Sequence, residues 1–375
     1  MASAVRLFGK IEGVKYRPTF RLPKLNTYYD LEKGFQDASF VYVRNGTKFA
    51  VSWWVSPKRT RSYPYARVYD TLQFSEGKVV TIIPVIKDEG AGGDRDFIQW
   101  DTVALMSLLN VHVILGYYAR AKRNPRYQNK VTGQEFDYSY LEQKFDELSS
   151  YRSDALHWNL EQLTQLGEIA LRAVRAYENM SKELGINFHD LEEAKRKATE
   201  IMGDVERFKE HSRRLAIKAQ HRESVTRQPK EKTDKPKGMI DIVDYLGGVY
   251  HFTVDEVDSN PEKTRVCLIE AKHTTQSGLP KEGDIKDGLL KMILYTNLKE
   301  LYYVEDEVNQ ERVRIREIKP VLKLTSDKLV LKPRDCETLR SLLEEAKINN
   351  FEVIVNKKRI VIEENNSINL IDFKC

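Results

Sequence analysis

The chain has 375 residues, 41% of them hydrophobic and 31% charged, with 61 Lys and Arg against 56 Asp and Glu. No apolar run is long enough to span a bilayer, and the opening MASAVRLFGKIEG lacks the apolar segment of a secretory leader, so a cytoplasmic protein without membrane contact is expected. Cys267, Cys336 and Cys375 form no CxxC pair and suggest no disulfide framework, and the histidines show no paired zinc spacing.

The length favours two domains over a single core. Residues 1–137 read as an α/β region. Within it, FVYVRNGTKFAVSWWV predicts a hairpin turning at Asn45-Gly46. KVVTIIPVI, WDTVALMSLLN and VHVILGYY then give a strand, a helix and a strand. From 138 to 222 the pattern is helical. Leu156, Leu160, Leu163, Ala170, Val174 and Tyr177 define one apolar face, with Gly185 as its C-cap. Leu191, Ala194, Ala198, Ile201, Val205 and Phe208 define a second helix, and the two are expected to pack as a hairpin. Residues 223–237, VTRQPKEKTDKPKG among them, form a basic linker. It follows a basic helix end that includes Arg213 and Arg214, and the stretch suits either a solvated connection or an arm on phosphates.

Residues 238–375 return to α/β. MIDIVDYL, VYHFTVDEV and TRVCLIEAK predict three strands and GDIKDGLLKMILYTNL a helix. VRIREIKPVLKLT, DCETLRSLLEEAKI and FEVIVNKKRIVIEE add a strand, a helix and a hairpin. Val266, Cys267, Leu268 and Ile269 are apolar on both faces of their strand, so it is central in a covered sheet. Glu270 and Lys272 end that strand two residues apart and therefore share a face. A buried charge needs a partner or a task. Glu270 offers hard oxygen ligands to a divalent cation, but one carboxylate holds Mg²⁺ poorly. Asp241 is the expected second ligand, with Asp244 as the competing choice. Two carboxylates on a cation and a lysine beside them suit phosphodiester hydrolysis. His273 is read as a polar neighbour, and Lys286 and Asp287 as a solvated helix face.

Asp241-Ile242-Val243 followed by Glu270-Ala271-Lys272 resembles the PD-(D/E)XK nuclease signature, and the helix after it resembles that of type II restriction endonucleases of this fold. The resemblance implies a restriction endonuclease-like core in 238–375. It implies Mg²⁺ on Asp241 and Glu270, and Lys272 assisting the attacking water. Double-stranded DNA as substrate, a cognate DNA methyltransferase, a homodimer and a prokaryotic cytoplasm also follow from it. A repair or mobile-element nuclease of the same fold, or a non-catalytic DNA-binding protein, are the alternatives.

Two N-terminal features bear on DNA. SPKRTRSYPYAR interleaves Lys58, Arg59, Arg61 and Arg67 with Tyr63 and Tyr65, a mixture suited to phosphate contact and stacking. Lys87, Asp88, Glu89, Asp94, Asp96 and Asp101 cluster around a glycine-rich loop. They are read as a polar loop and helix cap in a DNA-recognition region, with a degenerate second nuclease core as the rival.

Overall fold

The structure, a computed structural model, describes residues 4–58, 61–201, 205–225, 235–244, 249–306, 311–356, 358–362 and 368–372. The chain divides into two compact units, Lys24–Arg214 and a second made of Met1–Pro23 with Leu215–Cys375. Boundaries near 137, 222 and 237 were expected; they do not coincide with this division. The N-terminal strand β1 (Val5–Ile11) is the reason, because it pairs inside the C-terminal unit.

The unit Lys24–Arg214 opens with β2 (Thr27–Tyr28), α1 (Leu31–Gly34), β3 (Ser39–Arg44), β4 (Thr47–Trp53) and α2 (Pro64–Tyr69). It continues with β5 (Lys78–Pro84), β6 (Ile86–Asp88), β7 (Arg95–Phe97), α3 (Trp100–Leu108), β8 (His112–Gly116), β9 (Tyr118–Arg123) and β10 (Val131–Phe136). The helices α4 (Tyr138–Ser150), α5 (Ala155–Thr164), α6 (Leu166–Leu184), α7 (Leu191–Ile201) and α8 (Val205–Val225) follow, α8 running on past the unit's last residue. The main sheet has the order β2-β3-β4-β5-β8, while β6–β7 and β9–β10 are separate ribbons. The expected hairpin turns at Asn45 (φ 49°) and Gly46 (φ 72°), the positive dihedrals that a two-residue turn needs. The expected strand–helix–strand is β5, α3 and β8, with β5 and β8 parallel. The helical hairpin is α6 on α7, closed by Gly185 at φ 58°; its first arm, expected as one helix from Leu156 to Tyr177, is broken at Gln165 into α5 and α6. Its second arm is α7 to Ile201; the expected positions Val205 and Phe208 lie on α8, and 202–204 fall outside the described residues.

The other unit adds β11 (Gly238–Asp244), β12 (Val249–Val254), β13 (Glu256–Ser259), β14 (Arg265–Ser277), α9 (Glu282–Thr296) and β15 (Leu298–Asp306) to β1. Then come β16 (Glu311–Arg314), β17 (Glu317–Lys328), α10 (Pro333–Asn349), β18 (Glu352–Val355), β19 (Lys358–Ile362) and β20 (Ile368–Asp372). Two sheets result, β12-β11-β1-β15-β16 and β13-β14-β17-β18-β19-β20. The second carries the long parallel pair β14–β17, with α9 packed on both strands, and β18 joins parallel to β17. Val266, Cys267, Leu268 and Ile269 are buried in β14, as their two-faced apolar character predicts. Contrary to the expectation of unpaired cysteines, Cys267 is disulfide-bonded; Cys336 is free.

Two buried acids hold this unit together. Glu345 of α10 accepts the Tyr16 hydroxyl at 2.7 Å and the Thr19 and Phe20 amides at 2.6 and 2.5 Å, tying the segment after β1 onto the helix. Glu256, opening β13, pairs with Lys323 of β17 at 2.5 Å, with 2% and 4% of the side chains exposed. The expected basic linker lies largely in 226–234, outside the described residues.

Candidate active site

The chain leaves one sheet at Val254 and enters the other at Glu256, and Asp255 sits on the bend between β12 and β13. The β13–β14 pairing begins at Glu256↔Ile269, so the β14 edge beyond Ile269 has no β13 partner. Asp255 fills the gap. Its Oδ2 accepts the Ala271 amide at 2.8 Å. A strand residue directs its N–H and C=O to the same edge, so the Ala271 carbonyl faces the Asp255 side as well.

Glu270, just before it, has a side chain only 1% exposed, and a lysine holds each of its oxygens. Lys272 Nζ lies 2.8 Å from Oε1, as two residues sharing a strand face can. Lys291 Nζ, from α9, lies 2.7 Å from Oε2 and donates to the Thr253 carbonyl at 3.2 Å. One turn earlier in α9, Gly288 leaves room for the Lys272 shaft: a Cβ there would lie 3.2 Å from Lys272 Cε.

The electrostatics separate the two acids. Burial alone would raise the Glu270 pKa, but the charges of Lys272 and Lys291 outweigh it and hold the carboxylate below its ordinary range. Lys272 is the mirror case: burial would lower its pKa, and Glu270 keeps it raised. Asp255 is pushed up to about 7, first by burial and then by the Glu270 charge, against weaker help from Lys291, Lys272 and the Ala271 amide.

The structure thus brings Glu270 and Lys272 together as expected, but joins them to Asp255 and Lys291. Asp241 lies in the other sheet, where the β11–β12 register sets it opposite His251. That position is four residues before Asp255, about 13 Å along a strand. Its Oδ1 pairs with His251 Nδ1 at 2.7 Å and accepts Gln220 Nε2 at 3.2 Å, and it lines a cleft of about 240 Å³ with Arg6, Phe8 and Arg312. The expected approach of Asp241 to Glu270 is therefore not found, because the strand carrying it stays in the first sheet. The side chain of Asp244 lies outside the described residues. His273 is a polar neighbour, its Nδ1 2.9 Å from Thr325 Oγ1. Lys286 departs from the expected solvated face: it is buried, 2.9 Å from the Arg21 carbonyl and 2.8 Å from Glu282.

Asp255, which reaches the amide next to Glu270, Glu270 itself and the Ala271 carbonyl are oxygen donors, the type a small divalent cation takes. A cation reaching Glu270 must displace a lysine from it. Among the described residues no group of three or more His, Cys, Asp or Glu is disposed to hold a metal.

The expected DNA contacts fare differently. Arg61 is bound by Glu89 and Asp94 and lies 3.3 Å from Asp96, and Lys58 lies 3.8 Å from Asp96. The acidic cluster is thus largely an ion network around Arg61, and the α3 N-cap is Gln99 without a side-chain bond. Tyr63 is 41% exposed at the start of α2, and Arg213 and Arg214 are exposed on α8. Arg59 lies outside the described residues.

Comparison with family models, with curated proteins and with solved structures finds no match. No helix among the described residues is long and apolar enough to cross a membrane. Sequence reasoning missed Asp255 and Lys291. A signal for the first existed: Asp255 follows the alternating run Tyr250–Val254 and precedes a second strand leading into β14. Lys291 carried no signal, since one lysine on a helix resembles any other.

Proposed function

We propose that the chain is a Mg²⁺-dependent endonuclease of the PD-(D/E)XK type acting on double-stranded DNA, with Asp255, Glu270 and Lys272 as its working residues. The observation that carries this reading is the meeting of two buried carboxylates and a lysine where β14 passes its neighbour's end. Asp255 takes the role that the resemblance assigned to Asp241. The order β12, β13, β14, α9, β17 supports the same core, with β15 and β16 inserted after α9.

In this reading Asp255, Glu270 and the Ala271 carbonyl hold Mg²⁺, which lowers the pKa of a water and offsets charge building on the phosphate. Lys272, kept protonated by Glu270, orients the attacking water and stabilises the transition state. Lys291, whose ammonium lies on Glu270, would add a positive charge beside the scissile phosphate. One site cuts one strand, so a double-strand break takes a homodimer or two successive nicks. A cytoplasmic restriction enzyme with a cognate methyltransferase is the form the resemblance favours.

The test is incubation of supercoiled plasmid and phage DNA with Mg²⁺. Nicked or linear products from the parent chain, lost in Lys272→Gln and Asp255→Asn, support the proposal. Intact DNA with all three proteins ends it.

A further inference from the structure

With Arg61 and Lys58 facing their own acids, the uncompensated positive charge of the Lys24–Arg214 unit lies elsewhere. Between Tyr118 and Gln134 the chain carries Arg120, Lys122, Arg123, Arg126 and Lys130 without a single Asp or Glu, in a protein whose charges nearly balance. These residues form the β9–β10 ribbon and its tip. Arg120, Lys122, Arg123 and Arg126 are exposed and Lys130 is half-buried. Only Arg120 has an acidic partner among the ion pairs described, Glu135 at 3.2 Å, and that pair is itself exposed.

The ribbon is built to hold its shape. At its base Tyr118 and Phe136 stack with centroids 4.5 Å apart, and β9 packs along α6. Arg123 donates to the Gly185 carbonyl at the end of that helix. At the tip, Asn124 Oδ1 accepts the amides of Arg126 and Tyr127, closing an Asx turn. The Gly92 amide donates to Asn129 and the Val131 amide to Glu89, so the tip is fastened to the unit on both sides. Tyr127 stands at the turn 60% exposed, with the Lys130 ammonium 5.3 Å from its ring. A large exposed aromatic on a fastened turn, with a lysine ammonium near its ring, is preorganised for a partner.

We propose that the β9–β10 ribbon is a duplex-DNA contact, with Arg120, Lys122, Arg126 and Lys130 on backbone phosphates and Tyr127 against sugar or base at the groove. A two-stranded ribbon fits the major groove, and cations without counter-charge release counterions from DNA. The choice of duplex DNA as the partner rests on the nuclease reading; the polyanion contact does not.

The experiment measures binding of the full chain to a 20-base-pair fluorescent duplex across a salt series, with EDTA present so that nothing is cut. The combined variant R120Q/K122Q/R126Q/K130Q is expected to lose more than tenfold in affinity near 0.15 M salt. Its slope of log Kd against log salt should flatten by about 3.6, at roughly 0.9 for each of the four phosphate contacts. Tyr127→Ala should weaken binding roughly fivefold with the slope unchanged. The control K195Q/R196Q on α7 removes charge from exposed positions and should leave both quantities near the parent's. Ribbon variants that bind like the parent while circular dichroism shows them folded overturn the proposal, as does a ribbon-dependent preference for single-stranded RNA over the duplex. Because cleavage is not the readout, a chain that binds through the ribbon yet never cuts with Mg²⁺ removes the nuclease reading alone. A chain that cuts with an inert ribbon removes only this inference.

Discussion

Lys291 Nζ lies 2.7 Å from the one Glu270 oxygen that Lys272 leaves open, so two ammonium groups occupy both arms of a single buried carboxylate. A divalent cation competes with them for that oxygen. Lys291→Gln removes one competitor and one like charge. The proposed site predicts that Mn²⁺, titrated in the absence of DNA, binds this variant at least about tenfold more tightly than the parent, since a charge a few ångströms away is worth several kcal/mol even at moderate screening. Cleavage should fall in the same variant if the ammonium serves the phosphate. Unchanged Mn²⁺ affinity would remove Lys291 from the site.

Asp255 and Asp241 make opposite predictions. Asp255→Asn takes away one of two carboxylates and should lower the cleavage rate by two to three orders of magnitude. Asp241→Asn acts in the other sheet, on the contacts with His251 and Gln220, and should stay within about threefold of the parent. The reverse ranking, measured as single-turnover rates at saturating Mg²⁺, would restore the aspartate that the sequence pointed to.

The contrast shows what the sequence could carry. Glu270 and Lys272 were legible because side-chain alternation along one strand is a local property. So were the Asn45-Gly46 turn, α9 and the Gly185 cap, each fixed by a few neighbouring residues. The partner of Glu270 was not, because it depends on which strand changes sheet. Asp241 lies within β11 and Asp255 follows β12, and the bend at Asp255, with β1 capturing β11, separates them. Long-range pairing also hid the unit boundary. Nothing near Val5–Ile11 announces a partner more than two hundred residues away. The acids that pair with Lys58 and Arg61 were hidden for the same reason, since they come from a distant loop.

The raised Asp255 pKa gives a pH signature. A carboxyl that titrates near 7 in the folded chain and near 3.9 when unfolded binds more protons folded across that window. Its contribution to stability is therefore fully present below about 4 and lost as pH rises through 7. Asp255→Asn should resist urea better than the parent at pH 8, with the difference shrinking toward pH 4. Metal binding carries the opposite sign, because a cation needs the carboxylate. Mn²⁺ affinity should climb with pH up to about 7 and level off above it. An affinity flat from pH 5 to 8 would place the cation away from Asp255.

Glu256 and Lys323 are almost wholly buried on β13 and β17, the two strands that flank β14 in the second sheet. Replacing one member takes a buried counter-charge from the other, so Lys323→Met or Glu256→Leu alone should cost about 3–5 kcal/mol in chemical denaturation. The double substitution should recover most of that loss, since neither charge then remains uncompensated. Additive losses would show that packing, and not charge, sets the energy at this position.

Gly288 tests how closely α9 must approach the site. Its place in the helix interior is intrinsically unfavourable, and Gly288→Ala would gain about 1 kcal/mol from helix propensity alone. The added Cβ, however, would lie 2.7 Å from Leu322 Cδ1 and 3.2 Å from Lys272 Cε. Leu322 is fully buried and has little room to turn, so overpacking costs about 1–3 kcal/mol and cancels or exceeds the gain. Lys272 yields more easily, because its side chain is long and flexible and 22% exposed. The expected outcome is a protein with near-parental or slightly reduced stability whose cleavage rate drops at least tenfold, as the ammonium leaves the Glu270 oxygen. Gly288→Val enlarges both effects. Parental cleavage in a well-folded Gly288→Ala variant would mean that Lys272 does its work from a position other than the one beside Glu270.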